Sequence, residues 1–495
     1  MINVFRICFV CVALIPLATI AQSWDGIGTF NGYAQHLAVD SVNNVLYIGG
    51  GFNLIDEELV VQGLCRYDGQ TISNIKPNTN LAPFGNNFMT IEAMAFYNGN
   101  LYVASHSIKN HGSIEGTPVT TQIARFDGEN WESVFPEVLN CRSMKVLGDK
   151  LYLFSLWYPN SGNDPEFLWE YDGVNLDSFL YESPNEPWAF PQTFGNLHDI
   201  IEYEDGYVVA GDMVFNLLYE VPPPYGKDIY FWDGESAVNT NFNGGFMSNS
   251  GAPNNVELRT MAWYNGELYV GGYFSAFGNV QGASLVKKGG NNLWYAINNV
   301  QGAGFPSGIG IHRLLVFENL LWIVGRLSNF YPEPGQAPTP ISEIAIWDGE
   351  NVFSPSPDVF VDFSQIFDIV PFQNTVYIAG SFSFINVSPI TSVARFTGDI
   401  PGVNTSVSTS TPPPDFNIFP NPTSSHLTLT GSALLPGSEL KVYNVAGQQV
   451  YSEVLPYAHE THTLDARRFG PAGLYLLHLN TPGHTPVVKK VVVQE

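Results

Sequence analysis

Seven residues of this chain share one register. His36, Glu92, Arg142, His198, Arg259, His312 and Phe367 each stand nine or ten positions ahead of a recurring apolar phrase, and six of the seven are polar. Gathered at one place, these side chains supply guanidinium and imidazole donors for an anionic or sugar ligand, or imidazole nitrogens for a metal. Three histidines on separate repeats would have to converge across a wide space to share one ion, so no metal site is expected. The same groups are also able to satisfy one another and the backbone between repeats. A second set, Trp157, Tyr158, Trp188, Phe190 and Tyr331, lies in loops rich in Asn and Gly. Their aromatic faces suit stacking on sugar rings, or packing of loop on loop.

The elements that must position these residues come from a repeat. One phrase occurs at residues 46–50 (Leu-Tyr-Ile-Gly-Gly), 101–105, 151–155, 207–211, 268–272, 321–325 and 376–380, and its second position steps by 55, 50, 56, 61, 53 and 55 residues. Such runs of β-branched and aromatic residues between turn residues read as strands. An apolar strand precedes each, twice through an Asn-Gly turn (Asn98-Gly99 and Asn265-Gly266) whose two residues favour the positive φ of a tight hairpin. A third strand ends in aromatic-Asp-Gly, as at Asp68, Asp127, Asp172, Asp233 and Asp348, and a fourth short strand follows. Four antiparallel strands repeated seven times imply a seven-bladed β-propeller over residues 22–398. The seventh unit shows no fourth strand, and residues 23–30 are expected to supply it and close the ring, which removes a free edge. In that arrangement the register of His36, Glu92 and their equivalents lies near the mouth of the central channel.

These units resemble the kelch and galactose-oxidase central-domain class of propellers. They are closer still to repeats written Leu-Tyr-Val-Gly-Gly-x-Phe followed by Ala-Arg-aromatic-Asp-Gly, matched here by Gly271-Gly272-Tyr273-Phe274, Ala124-Arg125-Phe126-Asp127-Gly128 and Ala394-Arg395-Phe396. The resemblance implies a fold more than an activity. A sialidase would need a leading Ser-x-Asp pattern that residues 127–131 lack, and no tyrosine and cysteine can be assigned beside a copper ion. Residues 160–164 lack the alternating acidic ligands of a calcium loop. No catalytic residue and no cofactor are therefore expected.

The two ends of the chain concern delivery. Residues 1–21 carry one positive charge, an apolar stretch too short to span a bilayer and small residues before Gln22, the pattern of a cleaved secretion signal. Its removal would leave no transmembrane segment. Of the four cysteines only Cys65 and Cys141 would then remain, read as buried apolar residues in different repeats. Between residues 22 and 415 the chain has 41 acidic and 14 basic residues, which would repel a phosphate backbone, so nucleic acid is not expected as a partner. Residues 399–415 form a Ser/Thr/Pro linker.

Beyond it, short strands surround Pro420-Asn421-Pro422, a turn at Gly447, Gly473 with Tyr475, and Lys489-Lys490, and read as a small Ig-like β-sandwich over residues 416–495. This segment resembles the C-terminal sorting domain of type IX secretion cargo. The resemblance implies that an outer-membrane translocon reads the domain and that a sortase removes it. The whole is expected to be all-β, a seven-bladed propeller followed by a sandwich, secreted or held at the outer cell surface. Its expected role is non-catalytic binding of a glycan or protein. The alternative is a carbohydrate-active enzyme with its site at the channel mouth.

Overall fold

The computed structural model describes residues 24–494 apart from 77–80, 82–88, 156–167, 179–192, 195–196, 204–205, 212–213, 216–228, 233–236, 239–245, 248–255, 278–279, 282–283, 290–292, 300–303, 306–309, 334, 356–364, 384, 386–388, 399–415, 422, 432–437, 445–448, 456–460 and 481–486. The chain separates into two compact units, residues 1–401 and 402–495. Both are built from small antiparallel sheets.

Among the described residues the first unit holds seven four-stranded sheets, each opened by a hairpin of two long strands. The opening strands, which we take in chain order as sheets one to seven, are Tyr33–Asp40, Ala93–Tyr97, Cys141–Leu147, Leu197–Tyr203, Glu257–Tyr264, Gly310–Phe317 and Gln365–Phe372. The recurring phrase forms the second strands: Val45–Gly51, Asn100–Ala104, Lys150–Ser155, Gly206–Gly211, Glu267–Tyr273, Leu320–Arg326 and Thr375–Ser381. Each opening strand lies against the opening strand of the next sheet, and the seventh lies against the first. The fourth strand of sheet seven is Trp24–Gly26, paired antiparallel with Val393–Phe396 through Trp24 opposite Phe396. The expected closing segment thus pairs where anticipated, over three residues only.

The local chemistry accounts for these elements. Asn98 and Gly99, like Asn265 and Gly266, adopt positive φ in their hairpin turns. In the Asp-Gly turns, Oδ1 of Asp68, Asp127, Asp172 and Asp348 accepts N–H bonds from the residues two and three positions on, at 2.6–2.9 Å. The following glycines sit at φ near +100°, where a side chain would be strained. These are Asx turns that reverse the chain between third and fourth strands.

Packing between sheets uses the second position of the phrase. Tyr102, Tyr152, Tyr269, Trp322 and Tyr377 are almost fully buried, and Trp347 Nε1 donates to Tyr269 OH at 3.1 Å. Trp24, also fully buried, meets Phe396 edge-on at 5.0 Å, and Phe396 meets Trp322 at 5.5 Å. Polar staples add direction at three junctions. The Asp199 carboxylate accepts from Met261 N (2.6 Å), Thr260 Oγ1 from Leu314 N (3.0 Å) and the Asp368 carboxylate from Leu37 N (2.8 Å). The last of these joins sheet seven to sheet one. All three side chains are buried, where an unpaired N–H would cost far more than a surface bond gains.

In the second unit a three-stranded sheet (Phe416–Phe419, His426–Gly431, Thr461–Asp465) and a four-stranded sheet (Gln449–Val454, Glu439–Asn444, Gly473–Asn480, Val487–Val493) share one core. Leu427, Leu429 and Leu464 from the first sheet meet Leu440, Val442, Leu477 and Val491 from the second. Asn421 fastens the last strand: its side chain donates to Lys490 O (2.7 Å) and accepts from Val492 N (2.8 Å).

Candidate functional site

The opening strands do not pair regularly with their partners. In sheets one and three to seven the register slips by one residue, leaving Gln35, Arg142, His198, Arg259, His312 and Phe367 without a partner opposite. In sheet two Glu92 donates its N–H to Ala104 O, while Ala104 also pairs with Ala93, so Glu92 holds the same place. Each slip is a β-bulge, which bends the strand and re-aims a side chain. All seven of these residues line one cavity of about 410 Å³.

The bulge also explains a glycine in the phrase. A Cβ on Gly50, Gly272, Gly325 or Gly380 would lie 2.1–2.3 Å from the carbonyl oxygen of Tyr33, Glu257, Gly310 or Gln365. In these four sheets the bulged strand therefore presses its backbone close against the glycine. In sheet three Ser155 stands at the corresponding place opposite Cys141, and the slip persists.

The shared register needs one correction. In sheet one the equivalent of Arg142 and His198 is Gln35, not His36, because the turn at residues 41–44 is two residues longer than the Asn-Gly turns and shifts the count. His36 follows the bulge and still lines the cavity, as do Ser143 and Arg313 at the same position in sheets three and six. Glu257 completes the lining. It lies two residues before Arg259, and Glu257 Oε2 accepts from Arg259 Nη2.

Charge at the site is organised in pairs. Glu92 accepts from Arg142 Nη1 at 2.7 Å and meets His106 Nδ1 at 2.9 Å. Glu257 accepts from Arg259 Nη2 at 2.9 Å and lies 3.4 Å from His198 Nε2. Arg313 Nε donates to Asp368 at 3.0 Å, and this neighbouring carboxylate raises the arginine further above its ordinary value. Burial alone would push Glu257 upward, but hydrogen bonding from His198 and the charge of Arg259 outweigh it and hold the carboxyl at about 2. Burial lowers His36 and His312 to about 4, aided at His312 by the nearby Arg259 charge. Both imidazoles are thus neutral at pH 7. His312 Nδ1 lies 2.8 Å from Ile366 O, and its ring stacks on Phe367 with centroids 5.6 Å apart and planes 15° apart.

Along the same strands, one step further in sequence, a second cavity of about 410 Å³ is lined mainly by apolar residues, with Lys145, Asp199, Arg313 and Asp368 among them. Lys145 pairs there with Asp199. Arg313 borders both cavities.

Of the loop aromatics, Trp157, Tyr158, Trp188 and Phe190 fall outside the described residues. Tyr331 is partly exposed and pairs through its backbone with Gly304, away from the cavity lining. Cys65 and Cys141 are free and buried, and burial pushes the Cys141 thiol up to about 12. In the sorting motif Pro420, Asn421, Gly473 and Lys490 are exposed, Lys489 is half-buried and Tyr475 is buried with its hydroxyl on Pro471 O (2.7 Å); Pro422 and Gly447 fall outside the described residues.

The class of the C-terminal unit is established by comparison. Residues 417–494 match the family model described as the secretion system C-terminal sorting domain. The protein is therefore delivered by type IX secretion, with which its C-terminal domain interacts, and is attached at the outer cell surface or released. No curated protein matches the chain. Among solved structures it is similar to PorZ of Porphyromonas gingivalis, a bacterial surface component of the type-IX secretion system, at 12% identity over 93% of this chain and 70% of that one, with a TM-score of 0.27. It is also similar to a fungal alcohol oxidase of the AA5 family in complex with copper, at 11% identity over 95% of this chain and 99% of that one, with a TM-score of 0.44. Likenesses this distant say nothing of activity. Among the described residues no helix is long and apolar enough to cross a membrane.

Proposed function

We propose that residues 22–398 form a seven-bladed β-propeller of the kelch-like kind, that residues 1–21 are a cleaved signal, and that residues 399–415 link the propeller to an Ig-like sorting sandwich that a sortase removes. The outside product is a non-catalytic binding protein whose ligand, a glycan, enters the cavity at the starts of the opening strands. One observation carries this reading: six bulged residues and Glu92, one from each repeat, line a single cavity that mixes charged groups, imidazoles and one phenyl ring. A space of about 410 Å³ suits one or two sugar rings rather than a folded partner.

The lining also weighs against the enzymatic alternative. A glycosidase needs a carboxylic acid held protonated near neutral pH, and Glu257 is tuned in the opposite direction. Glu92 is held by Arg142 and His106. A glycan array probed with the purified chain tests the proposal, with product analysis on each hit. Binding without turnover, abolished in Phe367→Ala, is expected. Hits that survive this substitution undiminished, or that are hydrolysed, refute it.

A further inference from the structure

The lining of this cavity specifies more than a sugar. Between residues 22 and 415 the chain has only seven arginines, and three of them, Arg142, Arg259 and Arg313, border this one cavity in an otherwise strongly acidic protein. Against them the lining sets two carboxylates, Glu92 and Glu257, with Asp368 bonded to Arg313 from the inner side. Three arginines thus face two carboxylates in the lining itself, and with Asp368 counted the charges balance, where the surroundings are strongly negative.

The arginines also keep donors in reserve. Arg142 spends Nη1 on Glu92, and Arg259 spends Nη2 on Glu257, out of five N–H groups on each guanidinium. Arg259 Nε is buried and has no hydrogen-bond partner among the described residues. Acceptors are left over too. His36 Nε2 is buried and without a partner among the described residues, while the contact of His312 Nδ1 with Ile366 O assigns its proton to Nδ1 and leaves Nε2 as an acceptor. Phe367, stacked on His312, adds a flat apolar surface. A buried unpaired donor and a buried unpaired acceptor in one lining call for a ligand that carries both kinds of group.

We propose that the cavity takes an acidic sugar, a hexuronate unit of a glycan. Its carboxylate receives the spare N–H groups of Arg142 and Arg259, its hydroxyls donate to the imidazole acceptors, and a C–H face of its ring rests on Phe367. This rests on the glycan-binding reading above and narrows it. Guanidinium donors favour a carboxylate over a neutral hydroxymethyl group because such bonds are charge-assisted and can be bidentate.

Calorimetric titration of the full chain with three probes tests it: D-glucuronate carries both features, D-glucose only the hydroxyls and succinate only carboxylates. Glucuronate is expected to bind at least about tenfold tighter than either control, a factor that one charge-assisted contact supplies. In Arg142→Gln and Arg259→Gln the advantage of glucuronate over glucose is expected to shrink toward one. Equal affinity for glucose and glucuronate in the unaltered chain would sink the acidic preference and leave the sugar site standing. Succinate binding as tightly as glucuronate would remove the sugar. If no probe binds and the glycan array is also blank, the cavity reading itself falls.

Discussion

Asp368→Ala is the sharpest test of how the sheets are joined. The carboxylate is buried and accepts three bonds, from Leu37 N across the junction of sheets seven and one, from Ile369 N, and from Arg313 Nε. Its loss orphans the Leu37 N–H, at about 1–3 kcal/mol. It also strips Arg313 of its partner, and breaking a buried pair costs about 3–5 kcal/mol. Arg313 keeps 32% of its side chain exposed, so solvent recovers part of that second cost, and about 4 kcal/mol in total is expected. Asp368→Asn keeps an acceptor for Leu37 and should recover about 1–2 kcal/mol of the loss. The double variant Asp368→Ala with Arg313→Ala should cost less than the sum of the singles by about 1 kcal/mol or more, since no charge is then stranded. Urea unfolding followed by tryptophan fluorescence reads these values cleanly, because all ten tryptophans lie at or before Trp347 and the sorting domain has none. A single variant within about 0.5 kcal/mol of the parent, or strict additivity, would refute the stapling argument.

Gly272→Ala places a Cβ 2.1 Å from Glu257 O, so the bulged strand must move. We expect a loss of about 1–3 kcal/mol in urea unfolding together with weaker ligand binding, because Glu257 and Arg259 ride on the displaced strand; unchanged affinity would separate the bulge from the site. Acidification should destabilise the first unit in two windows. His36 and His312 stay neutral in the fold down to about 4 while the unfolded chain takes up protons near 6.5, so stability falls as pH drops from about 6.5 to 4. Glu257, held at about 2 against an ordinary 4.5, contributes stability that is present above 4.5 and lost between there and about 2. A urea midpoint that is flat from pH 6.5 to 4, or whose slope His312→Gln leaves unaltered, contradicts this assignment.

What could be read from residues alone was whatever local chemistry sets at a fixed offset. Asn265-Gly266 specifies its hairpin and Asp348-Gly349 its Asx turn, because the backbone at those points admits few other side chains. The pairing of the first strand with the seventh unit was legible for a different reason: unit seven lacked a strand, and an unpaired edge demands a partner. The strands Gln449–Val454 and Thr461–Asp465 escaped notice because their apolar alternation is interrupted by Ser452, Glu453 and His462. The site was legible as a register and illegible as a geometry. Counting back from the phrase assumes turns of one length, so the longer turn at residues 41–44 substituted His36 for Gln35. Glu257 was missed because its partners Arg259 and His198 meet it across a bulge and across a sheet junction, which spacing alone does not reveal. The glycine that ends the phrase in sheets one, five, six and seven held the missing information. A Cβ there would collide with a carbonyl on the opening strand, which bulges in all four of these sheets, and the bulged residue is the one turned to the cavity. A glycine at that position therefore marks, through the strand opposite, where a repeat presents a side chain to the cavity.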